Sequence, residues 1–192
     1  MSTVAQSLPK FRKPAIPSSV LGMLIFIATE VMFFTALISA FVVIKKERAT
    51  WALPENIQLP VATTGFNTFL LLLSGAFLIF AGMKLAQNEA HLAKSWTLRC
   101  LIFGTAFVTI QGFEWVQLIG YGMTMNSSIF GALFFLIIGA HGFHVLAGVF
   151  ALAFTLVKMN RDQVALSDFR AMQMYWSLVV LVWPLLYYLV YF

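Results

Sequence analysis

The sequence predicts an all-α membrane protein, a bundle of five transmembrane helices. Of the 192 residues, 61% are hydrophobic and only 10% are charged, and the mean hydropathy is +0.90. Soluble domains carry about 25% charged residues, so this chain lacks the polar surface that a water-facing fold needs. Five apolar stretches are long enough to cross the hydrocarbon layer, which takes about 20 helical residues. They are 20–44, 63–83, 100–119, 129–157 and 172–192.

The first two stretches have well-marked ends. The first contains one carboxyl group, Glu30, and is longer than the apolar core of a secretory signal, so we expect an uncleaved span. Polar residues follow as far as Pro60, and the second stretch then ends before the charged residue Lys84. The sequence thus predicts two helices joined by a polar connection at 45–60.

The other three stretches are separated in the same way. A polar and charged segment at 84–95 precedes the third stretch, and a short uncharged link at 120–128 precedes the fourth. A second charged segment, 158–170, lies before the fifth. Pro184 is the one residue that interrupts helical hydrogen bonding in these stretches. We therefore expect three further helices.

The basic residues predict how the bundle is oriented. Cytoplasmic loops collect Lys and Arg, and one side of the bundle carries nine of them against three on the other. The nine are Lys10, Arg12, Lys13, Lys84, Lys94, Arg99, Lys158, Arg161 and Arg170. We expect the N-terminus in the cytoplasm and the C-terminus in the periplasm of a bacterial inner membrane. Because no internal repeat is visible, one transmembrane domain at 18–192 follows a cytoplasmic segment at 1–17.

The composition also excludes several classes of site. The net charge of +5 comes from residues scattered between apolar runs, so no nucleic-acid partner is expected. Cys100 is the single cysteine, which excludes a disulfide framework, a cysteine-ligated zinc site and an iron–sulfur cluster. The sequence has no glycine-rich phosphate loop and no nucleophile followed by a plausible base. We therefore expect no self-contained active site.

Four polar residues inside the predicted spans are the candidate functional residues. Carboxyl and imidazole groups are costly in hydrocarbon, so they usually face the bundle interior and mark function. They are Glu30, Glu114, His141 and His144. From the helical rise of about 1.5 Å per residue, we place Glu30 and both histidines near the membrane midplane and Glu114 nearer the outer side. Gln111, Glu114 and Gln117, three residues apart, predict a polar stripe on one helix face.

Two interpretations of these residues stay open. In the first, Glu30 forms a hydrogen-bonded polar cluster with His141 or His144; in the second, the same residues only join helices by hydrogen bonds. A metal or haem site is less favoured. Two histidines three residues apart on one helix project the same way, so they cannot ligate one haem from opposite sides. Membrane diiron sites use more carboxylates or histidines than this chain has.

Four motifs, in order along the chain, resemble those of a known family. They are GMLIFIATEVMFF at 22–34, NTFLLLLSG at 67–75, QGFEW at 111–115 and AHGFHVLAG at 140–148. The first resembles an apolar run with an embedded glutamate followed by paired aromatic residues, and the last resembles a His-Gly-x-His-Val motif. On these motifs the chain resembles subunit III of the haem–copper respiratory oxidases, in its shorter five-helix bacterial form.

The last helix departs from the family pattern. MYWSLVVLVW at 174–183 resembles Trp-Tyr-Trp-His-Phe-Val-Asp-Val-Val-Trp, but Ser177 stands in place of the histidine and Val180 in place of the aspartate. The polar contact that this pair makes is therefore expected to be absent. The seven-helix form has two more helices, which border a lipid-filled cleft. That part of the cleft is missing here or is supplied by another subunit.

The resemblance implies an accessory subunit without catalytic residues or cofactors of its own. Subunit I is the expected main contact, and the haems and copper are expected in partner subunits. Other oxidase subunits and bound phospholipid are further expected partners. The family also implies support of oxygen access, proton uptake and durability under turnover, with the four candidate residues lining the lipid cleft or its polar core. Aerobic electron transport from cytochrome c is the expected setting.

Two alternatives stay open at this point. A quinol oxidase or a nitric-oxide-reductase-associated relative carries a similar subunit, so the sequence does not decide the electron donor. A small proton-coupled transporter, with Glu30 and the histidines as its proton path, is the alternative from another class. Such transporters have broken helices or inverted repeats, whereas only Pro184 interrupts these spans.

Overall fold

A computed structural model describes residues 16–47 and 60–192. In this part of the chain the protein consists of five α-helices and has no β-strand. The helices are α1 (Ser18–Glu47), α2 (Val61–Ala86), α3 (Ala90–Gly120), α4 (Ile129–Asn160) and α5 (Leu166–Tyr191). All five are long and apolar enough to cross a membrane. The predicted bundle of five transmembrane helices is confirmed.

The helices extend beyond the predicted spans at their charged ends. The third begins at Ala90 and the fifth at Leu166, well before the starts predicted at 100 and 172. The predicted connections at 84–95 and 158–170 are therefore wrong over most of their length. Hydropathy detects the part of a helix that lies in hydrocarbon, whereas a helix continues for as long as its backbone hydrogen bonds are made. The charged residues at these ends therefore belong to the helices.

Two further expectations stay predictions. The cytoplasmic segment at 1–17 lies almost entirely outside the described residues, as does most of the connection at 45–60. The domain boundary at residue 18 is therefore not tested. The orientation of the termini also stays a prediction, because the arrangement of the helices does not by itself distinguish the two sides of a membrane.

Four of the helices form a ring, and the remaining one lies outside it. The helices α2 and α4 each pack against both α3 and α5, which closes the ring. The outer helix, α1, packs against α5 and less extensively against α4. Only 11% of the residues in the apolar part of α1 are buried, against 44% in α5. Lipid or another protein must therefore cover most of α1.

Trp176 fills the centre of the ring. Its side chain is fully buried and lies between Gly104 of α3 and Gly148 of α4. A Cβ atom at these glycines would come within 2.8 Å and 2.7 Å of the indole ring, so only glycine lets the helices approach this closely. The indole Nε1 donates a hydrogen bond to Ser74 Oγ at 3.1 Å. One side chain of α5 thus contacts the other three helices of the ring.

Candidate functional site

A carboxyl group and an imidazole group meet between α1 and α4. Glu30 Oε2 lies 2.8 Å from His144 Nε2, and this oxygen is buried with no other partner among the described residues. Both side chains keep 15% of their surface exposed. From the helical rise, His144 lies about 22 Å from the start of α4 and about 24 Å from its end. The pair is therefore well inside the hydrocarbon layer, at the lateral edge of the bundle.

The second ring nitrogen of His144 limits the hydrogen-bonding forms that this pair can take. Nδ1 is 2.7 Å from the carbonyl oxygen of Ala140, one turn earlier. Because a carbonyl oxygen only accepts hydrogen bonds, Nδ1 carries a hydrogen. Nε2 then accepts a hydrogen from the protonated carboxyl of Glu30 or, in the imidazolium form, donates one to the carboxylate. In both forms one hydrogen lies between the two residues and the pair has no net charge, which low-dielectric surroundings tolerate best.

Aromatic side chains surround the imidazole ring of His144. Phe34 contacts the ring edge-on at a centroid distance of 5.2 Å, and Phe33 and Phe143 lie at 6.2 Å and 6.1 Å. The hydroxyl of Tyr175 donates to the main-chain carbonyl of His144 at 2.9 Å. Because Phe33 and Phe143 are exposed, the pair lies just beneath the lateral surface of the bundle.

His141 faces a different part of the bundle. Its side chain is 1% exposed and stacks on Trp183 of α5, with ring centroids 5.0 Å apart. Phe107 of α3 approaches it edge-on. Neither ring nitrogen has a hydrogen-bonding partner among the described residues. The contact with Glu30 is thus made by His144, and His141 belongs to the interior of the ring.

Glu114 lies in a separate polar network between α2 and α3. Its side chain is 3% exposed, and Oε2 accepts hydrogen bonds from Thr64 Oγ1 at 2.9 Å and Gln111 Nε2 at 3.0 Å. Asn67 extends the network by donating to Gln111 Oε1 at 3.4 Å and to the carbonyl oxygen of Phe107 at 3.1 Å. In the described part of the chain, no hydrogen bond or ion pair joins this network to the pair between α1 and α4. The candidate residues thus occupy three separate environments.

The predicted polar stripe on α3 is only partly present. Gln111 and Glu114 are buried against α2, whereas Gln117 is exposed. Three residues turn a helix by about 300°, which is about 60° short of a full turn. Side chains three residues apart are therefore offset by about 60°, and side chains six residues apart by about 120°. The stripe is expected to face the bundle or a partner protein; Gln111 and Glu114 face the bundle, and contact of Gln117 with a partner stays a prediction.

Sequence reasoning missed the partner of Glu114 on α2. The hydroxyl of Thr64 also lies 2.9 Å from the backbone carbonyl oxygen of Pro60, four residues earlier, which is an alternative acceptor for its single hydrogen. A threonine can satisfy itself this way in any membrane helix, so it gives no signal of burial. The signal that was present is spacing, because Thr64, Asn67 and Thr68 lie three and four residues apart and share one helix face.

The two departures in the last helix have different surroundings. Val180 is 5% exposed and packs against Gly75 of α2, where a Cβ atom would lie 3.1 Å from Val180 Cγ1. Ser177 is half-buried and lines a groove between α1 and α5. At the position of the usual aspartate, helix packing therefore takes the place of a polar contact.

The metal-ligating side chains of the described residues are not clustered. In that part of the chain, no three His, Cys, Asp or Glu side chains come together where they could hold a metal ion. Both nitrogens of His144 are engaged, and Cys100 is fully buried among apolar side chains. Haem iron needs axial ligands on both faces or one strong ligand, and copper sites use several histidine or sulfur ligands.

Known proteins resemble this chain over nearly its whole length. A family model described as cytochrome c oxidase subunit III matches residues 13–192. A probable cytochrome c oxidase subunit 3 of Nocardia farcinica is 28% identical over 200 residues, which cover 100% of this chain and 95% of the relative. The quinol oxidase subunit 3 of Bacillus subtilis is 28% identical over a match that covers 86% of this chain and 82% of the relative. A heme-copper oxidase subunit I+III of Aeropyrum pernix is 31% identical over 88% of this chain but 22% of that protein.

These matches confirm the family resemblance that we inferred from the four motifs. Five helices able to cross a membrane, together with bacterial relatives of this kind, identify a multi-pass protein of the bacterial inner membrane. Its setting is respiratory, as subunit III of a haem–copper oxidase that uses cytochrome c or quinol. The chain belongs to the cytochrome c oxidase subunit III family.

Proposed function

We propose that this chain is the non-catalytic subunit III of a bacterial haem–copper terminal oxidase that takes electrons from cytochrome c. It stabilises the catalytic subunit I, binds phospholipid, and supports oxygen access and proton uptake. The observation that carries the proposal is the family match along residues 13–192. The relative from Nocardia farcinica, covered over 95% of its length and named for cytochrome c oxidase, supports the choice of donor.

The relative from Aeropyrum pernix supports contact with subunit I. That protein is named heme-copper oxidase subunit I+III, and this chain matches 22% of its length. A subunit III sequence joined to subunit I in one polypeptide lies in the same membrane and within linker reach of it. In this chain the apolar part of α1 is only 11% buried, so its outer face offers surface for such a partner.

The donor chemistry of the described residues supports placing the haems and copper in partner subunits. His144 uses both ring nitrogens, for Ala140 and Glu30, and His141 belongs to no group of three metal-ligating side chains among the described residues. Subunit III then acts through packing, lipid and protons, and the electron transfer belongs to its partners.

A groove between α1 and α5 supports the proposed binding of phospholipid. Two adjoining cavities of about 570 Å³ and about 390 Å³ share Gln173 and Met174 in their walls. Arg170 lines the first cavity near the start of α5, where a guanidinium group can pair with a phosphate. The second cavity is lined by the apolar residues Leu24, Ile27, Leu178 and Leu181. The groove thus offers a cation at the membrane surface and an apolar track for an acyl chain.

The contact between Glu30 and His144 supports the proposed part in proton uptake and durability. The hydrogen between the two residues can move from one to the other without changing the net charge of the pair. The same contact joins α1 to α4, while α1 also forms one wall of the lipid groove. Loss of the pair is therefore expected to loosen α1 and with it the bound lipid.

Quinol oxidation is the second candidate function of the complex. The quinol oxidase subunit 3 of Bacillus subtilis is 28% identical and matches 86% of this chain. It supports quinol as the electron donor almost as well as the relative from Nocardia farcinica supports cytochrome c. The site that accepts electrons lies in other subunits under both proposals, so only the isolated complex distinguishes them.

Purification of the tagged chain from native membranes in mild detergent tests the proposal. We expect subunit I to co-purify, haem bands in the reduced-minus-oxidised spectrum, and oxygen consumption with reduced cytochrome c. Oxygen consumption with quinol alone would select the second candidate. A colourless protein that purifies alone in several mild detergents would contradict both candidates and favour a transporter.

The lipid content of the same complex tests the proposed groove. We expect Arg170→Gln to reduce the phospholipid that is retained after extensive detergent washing, measured by mass spectrometry of the extract. Arg99→Gln is the matched control, because Arg99 is also exposed but lies over Trp96, away from the groove. Equal lipid retention in the two variants would contradict the assignment of this groove.

A further inference from the structure

A cavity between α3 and α4 is not used by the proposed function. It has a volume of about 300 Å³, and Gly112, Gly139 and Gly142 form part of its walls. A Cβ atom at Gly112 would meet no atom within 4 Å, so the space there is open. Phe143 and Leu146 line the cavity and are exposed. The cavity therefore opens on the lateral surface of the bundle, within the membrane-spanning part.

Two residues of the cavity wall carry buried nitrogen atoms without partners among the described residues. His141 lines the cavity and is 1% exposed, and neither of its ring nitrogens has a partner among the described residues. Trp115 also lines the cavity, and its buried Nε1 has no partner in that part of the chain either. Buried donors are rarely left unpaired in folded proteins, because the lost hydrogen bond costs free energy. Because these nitrogens are buried, a ligand oxygen in the cavity reaches them only after a ring rotates, and such side-chain changes are common on binding.

The rest of the wall selects the class of ligand. The aromatic rings of Phe107, Trp115 and Trp183 line the cavity, and no acidic, lysine or arginine side chain among the described residues does so. A phosphate group would find no cation there, and a bare acyl chain would leave the nitrogen atoms unpaired. A flat ring that carries a carbonyl or hydroxyl oxygen stacks on the aromatic walls and pairs with the N–H groups.

We propose that this cavity binds the headgroup of a membrane-dissolved quinone. The ring lies between α3 and α4, with one quinone oxygen towards His141 and Trp115, and the isoprenoid tail leaves through the opening beside Phe143. The proposal concerns binding, and no electron transfer is assigned to the site. It rests on the cavity and its unpaired atoms, independently of the donor used by the oxidase complex.

Photolabelling of the intact complex tests this site. The probe is a photoreactive azido-quinone, applied to the complex in phosphatidylcholine nanodiscs depleted of native quinone. We expect label on peptides from 107–115 and 138–146, and we expect excess decylubiquinone to prevent it. Because the label is read on peptides of this chain, a quinone site in a partner subunit does not interfere.

A variant that fills the cavity provides the main comparison. Gly112→Leu places a side chain in the open space and is expected to abolish the label. Gly22→Leu is the matched control, because a Cβ atom at Gly22 of α1 also meets nothing within 4 Å and Gly22 does not line the cavity. Equal labelling of the two variants would overturn the proposal.

Two further results decide the chemistry of the ligand. Trp115→Phe keeps an aromatic ring but removes the N–H group, so we expect decylubiquinone to compete about two- to tenfold less well. Unchanged competition in this variant would overturn the assigned hydrogen bond. Palmitic acid that competes as well as decylubiquinone would overturn the quinone assignment and make the cavity a site for acyl chains.

Discussion

Glu30 and Glu114 are both carboxyl groups inside membrane-spanning helices, yet the bundle surrounds them differently. Glu30 lies at the lateral edge, 15% exposed, with one partner, the imidazole of His144. Glu114 lies inside the ring of four helices, 3% exposed, between the donors Thr64 and Gln111. The edge pair is accessible to lipid or to a neighbouring subunit, whereas the interior carboxyl is not.

The difference shows two ways to offset the cost of a carboxyl group in hydrocarbon. Neutral donors hold the interior carboxyl in one geometry and join α2 to α3, which is a structural role. At the edge, the partner of the carboxyl is an imidazole nitrogen, and the two groups share one hydrogen across 2.8 Å. We therefore propose a structural role for the interior network and a functional role for the edge pair.

The largest expected effect concerns the close packing of the interior. Gly148→Val places a branched side chain against Trp176, where even a Cβ atom would lie 2.7 Å from the ring. Overpacking of this kind costs about 1–3 kcal/mol or more, so we expect a marked fall in the Tm of the purified complex or loss of this subunit from it. Gly112→Val, at an open helix position, is the matched control. Equal Tm values for the two variants would contradict a close-packed interior.

The next largest effect concerns the interior carboxyl itself. Glu114→Leu leaves the amide of Gln111 without its acceptor. It leaves the hydroxyl of Thr64 with the carbonyl oxygen of Pro60 as its only acceptor among the described residues. A buried group left unpaired costs about 1–3 kcal/mol, so we expect a lower Tm in thermal unfolding of the complex. Glu114→Gln keeps an acceptor oxygen, so its Tm should stay closer to that of the wild type. If the two substitutions lower the Tm equally, the network does not act through hydrogen bonding.

A smaller effect is expected at the edge. Glu30→Gln and His144→Gln, made singly and together, form a double-mutant cycle across the 2.8 Å contact. Because the pair is partly exposed, we expect a coupling free energy of about 0.5–1.5 kcal/mol in the stability of the complex. Strictly additive effects would mean that the two side chains do not act as a pair.

The five helices could be predicted from the sequence because a span must place about 20 apolar residues in hydrocarbon. The same physics identified the candidate residues, since polar groups are rare in such spans. The starts of the helices at Ala90 and Leu166 could not be predicted this way. Charged residues outside the hydrocarbon layer continue a helix without any loss of backbone hydrogen bonds.

The arrangement of the helices around one another could not be predicted from the sequence pattern. His141 and His144 are three residues apart, yet one contacts Trp183 of α5 and the other Glu30 of α1. Which histidine meets the carboxyl depends on where α1 lies outside the ring, and a single sequence carries no signal for that placement. Thr64 was missed for the same reason, because its role depends on α2 facing the carboxyl on α3.

The durability of turnover tests the division between edge and interior most directly. Oxygen consumption would be followed over many turnovers in complexes that carry Glu30→Gln or Glu114→Gln, with the haem spectrum recorded before and after. We expect unchanged haem bands in both variants and activity that declines earlier only in Glu30→Gln. Loss of a haem band in Glu30→Gln, or an activity as durable as that of the wild type, would contradict this division.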